Sequence, residues 1–241
     1  TLVAASASTL NQWWERSTDA RMHRTADRPL PAGRLGIAET LILGLMVLVV
    51  GLVYLGLKCG MTTTIWAGVT WLLYVTIYTP LKSRTWLNTA VGAIPGALPV
   101  VIGWSGVGAS LDMRTVWLFL LVFFWQFPHF MAIAWLYRRQ YAAAKLQMLT
   151  VVDASGHRAG LQAVIGAAAV VLVSLMAVYQ ASPTSWYLLA GTAVLALGQW
   201  VCAFRFFTER DDRSARRLLR ASLVYLPLQL ALITLLNLSL S

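Results

Sequence analysis

Apolar residues fill most of this chain in long runs that short polar stretches separate. A helix needs about 20 apolar residues to cross the roughly 30 Å hydrocarbon core of a bilayer. Runs of this kind occupy residues 36–57, 61–79, 88–107, 115–137, 160–180, 185–205 and 218–239, and the residues before 11 resemble the last turns of one more span. The pattern predicts an all-α polytopic membrane protein, a single transmembrane domain over residues 1–241 whose N-terminal helix or helices are missing.

The composition agrees with a protein whose solvent is the lipid bilayer. Hydrophobic residues make up 59% of the chain and charged residues only 12%, whereas a soluble domain carries about 25% charged residues. A soluble core could not bury so much apolar surface. The composition therefore argues against a soluble domain.

The basic residues gather on one side of the predicted membrane. A formal charge of +10 would suit a nucleic-acid-binding protein. Seven alternating spans, however, place every Lys and Arg except Lys58 and Arg114 in loops on the same side. An excess of Lys and Arg marks cytoplasmic loops. The charge thus reflects topology, and we expect no nucleic-acid partner.

One polar stripe interrupts the apolar pattern. Asn11, Glu15 and Asp19 stand at four-residue intervals in the segment NQWWERSTDARMHRTADRPLP, and residues four apart lie on nearly the same face of a helix. A charge at the centre of a membrane helix costs about 2.5–3.5 kcal/mol on insertion scales, so the stripe needs a partner. Mg²⁺ binds few carboxylates together with phosphate oxygens and water, which predicts a metal half-shell. Ion pairs with Arg16 or Arg21 are the structural alternative.

Side chains suited to phosphate follow the second span on the same side. The loop reads YTPLKSR and supplies Tyr78, Lys82 and Arg84. An ammonium is a point charge for phosphate, and a guanidinium binds phosphate through two hydrogen bonds. Lys and Arg at a membrane edge are also topology markers or contacts to lipid headgroups. Because a diphosphate would complete the magnesium shell, the two elements together favour a metal–diphosphate site.

One histidine is predicted deep in the membrane. His129 lies about eight residues from the charged end of its span, hence about 12 Å deep at 1.5 Å per residue, in the segment WQFPHFMAIAWLYRRQY. Pro128 can kink the helix and open its backbone to a cavity. The bland interpretation is a core histidine that is hydrogen-bonded to Gln126. The functional interpretations are a contact to a polar substrate group and an axial bond to a metal porphyrin.

These segments together resemble a known family. The stretch NQWWERSTDARMHRTADRPLPAG is similar to the first metal-binding motif of the UbiA superfamily of intramembrane prenyltransferases, in the version of the protoheme IX farnesyltransferases, or heme O synthases. The stretches YTPLKSRTWLNTAVGAIPGALPVVIGW and FFWQFPHFMAIAWLYRRQY resemble two further signatures of that subfamily. The resemblance implies a UbiA-like bundle of transmembrane helices around a central cavity.

The resemblance also implies an enzyme that transfers a farnesyl group from farnesyl diphosphate to the vinyl group of heme b. Mg²⁺ is the implied cofactor, held by the catalytic residues Asn11, Glu15 and Asp19. The residues implied to bind substrate are Arg24, Arg28, Tyr78, Lys82, Arg84, Gln126 and His129. The implied location is a bacterial inner membrane, crossed several times, with the active-site loops in the cytoplasm. Heme-handling or oxidase-assembly proteins are implied partners.

The chain departs from the family at one position, and other functions stay open. Gln140 precedes Tyr141 where the family carries an acidic residue of a second metal site, and Asp153 is the nearest remaining carboxylate. This departure argues against a second Mg²⁺. An aromatic or quinone acceptor would use the same magnesium chemistry, although the WQFPHF helix argues against it. A transporter or a non-catalytic heme-handling membrane protein would also place polar groups in spans.

Overall fold

Helices form almost the whole of the structure. The computed structural model describes residues 1–181 and 186–240, and this part of the chain contains no β-strand. In chain order the α-helices are α1 (Leu2–Asp19), α2 (Ile37–Lys58), α3 (Met61–Leu72), α4 (Thr79–Leu81), α5 (Asn88–Gly106), α6 (Met113–Leu136), α7 (Arg138–Ala143), α8 (Leu149–Val152), α9 (His157–Ala181), α10 (Trp186–Glu209) and α11 (Asp212–Leu240). A π-helical segment, Leu73–Tyr78, joins α3 to α4. The all-α prediction is confirmed.

Within the described residues, 6 helices are long and apolar enough to cross a membrane. They are α2, α5, α6, α9, α10 and α11, and they match six of the seven predicted spans. Residue 185, the first of the predicted span 185–205, lies outside the described residues. α11 begins before its apolar run, at Asp212, because the intervening Arg and Ala residues are strong helix formers.

The remaining predicted span, 61–79, is helical but divided. α3 is short, the π-helical segment follows it, and α4 completes the path. Pro80 has no backbone N–H to donate, and its ring clashes with the carbonyl four residues earlier in a regular α-helix. The backbone N–H and the hydroxyl of Thr79 both donate to the carbonyl of Tyr74, and this five-residue step is the spacing of a π-helix. Hydropathy does not distinguish a π-helix from an α-helix, which is why the apolar pattern predicted one uniform span.

The chain divides into two compact units. The first comprises Thr1–Ser110 and Arg138–Val152, and the second comprises Leu111–Tyr137 and Asp153–Ser241. The first unit therefore holds α1–α5 with α7 and α8, and the second holds α6 and α9–α11. The single transmembrane domain stays a prediction.

Small residues fix α1 against α2 in the first unit. A Cβ added at Gly44 would come within 2.7 Å of Leu10 Cδ2, and one added at Gly51 would come within 3.0 Å of Leu2 Cβ. Ser6 is fully buried and donates a hydrogen bond of 2.7 Å to the carbonyl of Gly44. Membrane helices associate through such close packing and hydrogen bonds, since lipid is as apolar as the helix surface. The position of the polar stripe on α1 depends on these contacts.

The second unit is a four-helix arrangement in which α6 and α10 each pack against both α9 and α11. Gly166 of α9 lies against α6 at Phe127 and Pro128, where an added Cβ would come within 2.6 Å of Phe127 Cβ. This close approach supports the turn of α6 that carries His129. The buried core draws on all four helices and consists of Leu121, Val170, Val173, Ala196 and Tyr225.

We expect Gly44→Leu to destabilise the protein by about 1–3 kcal/mol, because overpacking a tight contact displaces the neighbouring backbone or side chain. Thermal unfolding of the purified protein in nanodiscs measures the effect. Gly103→Leu is the matched control, since Gly103 is exposed and an added Cβ there meets nothing within 4 Å. Equal losses at the two positions would contradict the proposed role of the α1–α2 contact.

Candidate active site

The predicted polar stripe lies on a buried face of α1. Asn11, Glu15 and Asp19 are 6%, 9% and 1% exposed, whereas Trp14 of the same helix is 43% exposed. The four-residue spacing turns all three polar side chains toward the protein, and α1 contacts α2, α3, α4 and the π-helical segment. The stripe therefore needs partners from those elements or from the turn that follows α1.

Thr79, the first residue of α4, binds Asn11. Oγ1 of Thr79 lies 3.1 Å from Nδ2 of Asn11 and 2.8 Å from the carbonyl oxygen of Tyr74. The Thr79 hydroxyl donates its only proton to Tyr74, so it must accept from Asn11, and only the amide nitrogen of Asn11 can donate. This assignment directs the amide oxygen of Asn11, the atom that binds metals, away from Thr79.

Lys82, directly after α4, forms an ion pair with Glu15. Its Nζ lies 2.9 Å from Oε1 and 3.2 Å from Oε2 of Glu15, and 4.7 Å from the centre of the Tyr78 ring. Burial by itself would lower the pKa of Lys82, but Tyr78 and Glu15 more than offset it, and the pKa is raised. Lys82 therefore supplies a positive charge beside the stripe.

Arg28, in the turn after α1, forms an ion pair with Asp19. Nη1 of Arg28 lies 2.7 Å from Oδ2 of Asp19. The hydroxyl of Thr25 donates to the backbone carbonyl of Asp19 over 3.0 Å, so the turn folds back onto the end of the helix. The ion-pair alternative considered from the sequence is wrong in its partners, because neither Arg16 nor Arg21 pairs with either carboxylate in the described part of the chain.

Three further predicted residues lie in the same unit. The ring of Tyr78 packs against Gly92 of α5, where any larger side chain would clash. Arg24 lies in the turn after α1 and Arg84 in the turn after α4, and both side chains are exposed. The two turns thus carry more positive charge than the paired carboxylates neutralise, which suits a polyanionic ligand.

The oxygen atoms of the stripe fit Mg²⁺. One amide oxygen and two carboxylates are hard ligands, and Mg²⁺ usually keeps its other positions for water and phosphate. Oε1 of Glu15 is buried and lies 2.9 Å from Nζ of Lys82, so a metal bound there would take the place of that ammonium. The described residues contain no cluster of three or more His, Cys, Asp or Glu that could hold a metal ion. Because the stripe supplies one amide oxygen and two carboxylates, phosphate oxygens and water would complete the shell of a metal bound there.

In the second unit, Ser222 and Trp125 orient His129. Nδ1 of His129 lies 2.9 Å from Oγ of Ser222, and the Trp125 ring stacks on the imidazole at 4.7 Å between centroids. The Ser222 hydroxyl donates to the carbonyl of Leu219 over 2.7 Å, so it must accept from His129. In the neutral ring Nδ1 then carries the proton, and Nε2 keeps a lone pair. Such a nitrogen can bind a metal or accept a hydrogen bond.

The hydrogen-bond partner predicted for His129 was Gln126, and the structure gives a different one. Gln126 is buried, and its Nε2 donates to the carbonyl of Val122 one turn earlier over 3.2 Å. Ser222 lies 93 residues from His129 in sequence, so local spacing could not identify it. A role for Gln126 in binding substrate stays a prediction.

The residues considered for a second metal site have other surroundings. The carboxylate of Asp153 accepts hydrogen bonds from the hydroxyl and backbone N–H of Ser155 and from the backbone N–H of Arg158. The Ser155 hydroxyl and the Arg158 backbone N–H lower the pKa of Asp153. Asp153 therefore caps the beginning of α9. Oε1 of Gln140 is buried and forms no hydrogen bond within the described residues.

Sequence reasoning missed the residues that orient the predicted ones. Thr79 holds Asn11, Ser222 holds His129, and Asn88 donates hydrogen bonds to two backbone carbonyls of the first unit. Each is a polar side chain in or beside an apolar run, where an unpaired polar group is costly. That cost is a signal that could have identified them as residues with a fixed partner, although not which partner.

Comparison with protein families and curated proteins gives a consistent result. The model of the UbiA prenyltransferase family matches residues 1–226. A protoheme IX farnesyltransferase of Solibacter usitatus is 42% identical over 229 residues, which cover 94% of this chain and 77% of the relative. A protein of the same name from Rhodopirellula baltica is 40% identical over 243 residues, which cover 97% of this chain and 84% of the relative.

Solved structures share the fold at low sequence identity. A structure of digeranylgeranylglyceryl phosphate synthase has a TM-score of 0.76 at 18% identity and covers 97% of this chain and 81% of its own. A UbiA homolog from Archaeoglobus fulgidus, bound to DMAPP and Mg²⁺, has a TM-score of 0.69 at 15% identity. The match covers 97% of this chain and 84% of that homolog. At such identity the likeness supports the helical fold alone.

We expect the buried pair of Glu15 and Lys82 to be energetically coupled. Lys82→Met should leave a buried, unpaired carboxylate and lower the stability, and Glu15→Gln in the same protein should restore part of the loss. A double-mutant cycle of unfolding free energies should give a coupling of about 1–3 kcal/mol. The exposed pair of Asp27 and Arg34 is the control and should show no measurable coupling. Additive effects of the Glu15 and Lys82 changes would contradict the pairing.

Proposed function

Because the chain belongs to the UbiA prenyltransferase family, we propose that it transfers the farnesyl group of farnesyl diphosphate to a vinyl group of protoheme IX and makes heme O. Relatives named protoheme IX farnesyltransferase, which match nearly the whole chain, support this substrate pair. The observation in this chain that carries the proposal is the pairing of Glu15 and Asp19 with Lys82 and Arg28. These four side chains would supply ligands for a metal and cations for a diphosphate.

The protein is an integral, multi-pass membrane protein, as its apolar helices and its family indicate. We propose that the turns after α1 and α4 face the cytoplasm, because nearly all Lys and Arg residues fall on that side of the predicted topology. In a bacterial cell this membrane would be the inner one. Contact with heme-handling or oxidase-assembly proteins stays a prediction.

The paired charges of the site can exchange partners when substrate binds. Mg²⁺, when bound, supplies a Lewis acid that stabilises the charge on the departing diphosphate. The carboxylates of Glu15 and Asp19 would hold it, together with the amide oxygen of Asn11. Lys82 and Arg28 would then be free to bind phosphate oxygens. All four charged groups keep an opposite charge as neighbour before and after this exchange.

The proposed reaction replaces the allylic C–O bond by a C–C bond and then adds water, which forms a new C–O bond and breaks one O–H bond. The allylic C–O bond of farnesyl diphosphate breaks, and diphosphate leaves with the electron pair, stabilised by the cations of the two turns. A vinyl carbon of the heme attacks the farnesyl carbon, and the positive charge moves to the other vinyl carbon. Water adds there and releases a proton, which gives the hydroxyethylfarnesyl group. An apolar environment keeps water from the first cation.

We propose that His129 contacts the heme. Its Nε2 lone pair suits an axial bond to heme iron or a hydrogen bond from a polar group of the acceptor. Ser222 and Trp125 already fix the ring, so binding would cost little side-chain entropy. This contact favours a porphyrin acceptor over a quinone, which has no metal for the imidazole. A non-catalytic transporter would have no use for a metal–diphosphate site.

A single Mg²⁺ is the form of the site that this chain supports best. Asp153 is committed to the beginning of α9, and Gln140 supplies a neutral amide oxygen in place of a carboxylate. Without a second pair of carboxylates, the basic side chains of the two turns would neutralise the rest of the diphosphate charge. We therefore assign that role to Lys82 and Arg28, with Arg84 as a further cation on the same side.

We expect Asp19→Ala and Glu15→Ala each to reduce heme O formation by at least about 100-fold, because the charge on the leaving group loses its metal. The assay incubates the purified protein with farnesyl diphosphate, heme b and Mg²⁺, and detects the product by mass spectrometry. Asp27→Ala is the control, since that carboxylate is 93% exposed, and it should keep full activity. Near wild-type turnover in a folded Asp19 or Glu15 variant would refute the metal site. Prenylation of a quinone in place of heme would refute heme as the acceptor of the farnesyl group.

We expect His129→Ala to weaken heme binding about tenfold or more, the equivalent of one lost coordinate or hydrogen bond. Magnesium-dependent binding of farnesyl diphosphate should survive. Titration of heme, followed by its Soret band, measures the effect, and His157→Ala is the control because His157 is an exposed histidine of the same unit. Equal heme affinity in wild type and the folded His129 variant would leave His129 with a structural role only.

A further inference from the structure

Residues 144–148, which we call the bridging segment, contact both turns that carry the cations of the site. At one end, Ala144 and Leu146 are buried against Met22, which lies in the turn after α1. At the other end, the backbone N–H of Gln147 donates a hydrogen bond of 2.7 Å to the carbonyl of Lys82. One short stretch of chain therefore touches the turn of Arg28 and the turn of Lys82.

Asn88 holds the bridging segment in place. It is the first residue of α5 and is 1% exposed. Its Nδ2 donates to the carbonyl of Gln147 over 3.0 Å and to the carbonyl of Thr85 over 2.7 Å, which uses both protons of the amide. Residue 147 is thus bonded through both of its backbone groups, by its N–H to Lys82 and by its C=O to Asn88.

The backbone of the bridging segment has a specified conformation. Lys145 has φ 59°, in the left-handed region that residues other than glycine rarely adopt. The N–H of Leu146 donates to the carbonyl of Tyr141 over 3.0 Å. A strained conformation of this kind persists where the surrounding contacts determine it. Here the N–H of Lys145 also donates to the carbonyl of Ala142 over 3.0 Å, and the two bonds form the Schellman cap that ends α7.

We propose that the bridging segment sets the spacing between the two cation-bearing turns, and that Asn88 is a positioning residue for Lys82. The inference rests on the proposed function of these turns as a magnesium–diphosphate site. Lys82 has to reach Glu15 in the free protein and a phosphate oxygen in the complex, and both contacts tolerate errors of only a fraction of an ångström. Anchoring the Lys82 carbonyl fixes the starting point of that flexible side chain.

The test uses the full chain in nanodiscs and inorganic pyrophosphate with Mg²⁺ as the probe. Asn88→Ala removes the amide donor without adding a charge, and we expect calorimetry to show affinity weaker by about tenfold. Hydrogen exchange read by mass spectrometry should become faster in peptides over residues 80–86 and 144–150 together. Ser105→Ala is the matched control, because it removes a buried hydrogen bond to Thr63 from the other end of α5. It should lower thermal stability and leave the affinity unchanged.

The outcomes distinguish a positioning role of Asn88 from a purely structural one. Unchanged affinity in Asn88→Ala, or faster exchange confined to residues 144–150, would overturn the inference. If that variant does not fold, the wild type gives the answer, since binding of magnesium pyrophosphate should slow exchange in both peptides. Protection of residues 80–86 alone would count against the bridging segment. Lys82→Met distinguishes a failure of this inference from a failure of the proposed site. If that change does not weaken binding, the proposed site itself is refuted.

Discussion

The structure depends on one constraint, which is that charges inside a membrane protein must be neutralised by partners. Glu15 and Asp19 are buried on α1, and an unpaired charge in such a place is costly. Lys82, from the turn after α4, neutralises Glu15, and Arg28, from the turn after α1, neutralises Asp19. The two ion pairs therefore determine which face of α1 turns inward. They also determine where the turns after α1 and α4 lie.

The same constraint gives the site its proposed chemistry. A buried ion pair contributes little net stability, because desolvation offsets most of its attraction. Exchange of one set of partners for another of equal charge can therefore have a small free-energy cost. Carboxylates that release their cations to a diphosphate, and take a metal in return, keep every charge paired throughout. A site built in this way stays folded without its substrate and still binds a strongly charged one.

Uncharged polar side chains determine how the groups of the site are oriented. Thr79 joins the π-helical segment to Asn11, and its single proton decides which end of that amide faces the site. Ser222 decides by the same logic which nitrogen of His129 keeps its lone pair. Asn88 connects α5 to the segment that holds Lys82. In apolar surroundings each unmade hydrogen bond is costly, so these few bonds specify orientation strongly.

The sequence by itself determined the helical class, six of the spans and the polar stripe of α1, because hydropathy and four-residue spacing are local properties of the chain. It also indicated that Lys82 and His129 would matter, since a charge or an imidazole beside so much apolar sequence requires a partner. It could not name the partners. Glu15 and Lys82 are 67 residues apart, and His129 and Ser222 are 93 apart, so only tertiary packing decided these pairs. Packing likewise decided the π-helical step at Thr79, where a proline and a hydroxyl replace regular hydrogen bonding without any change in hydropathy.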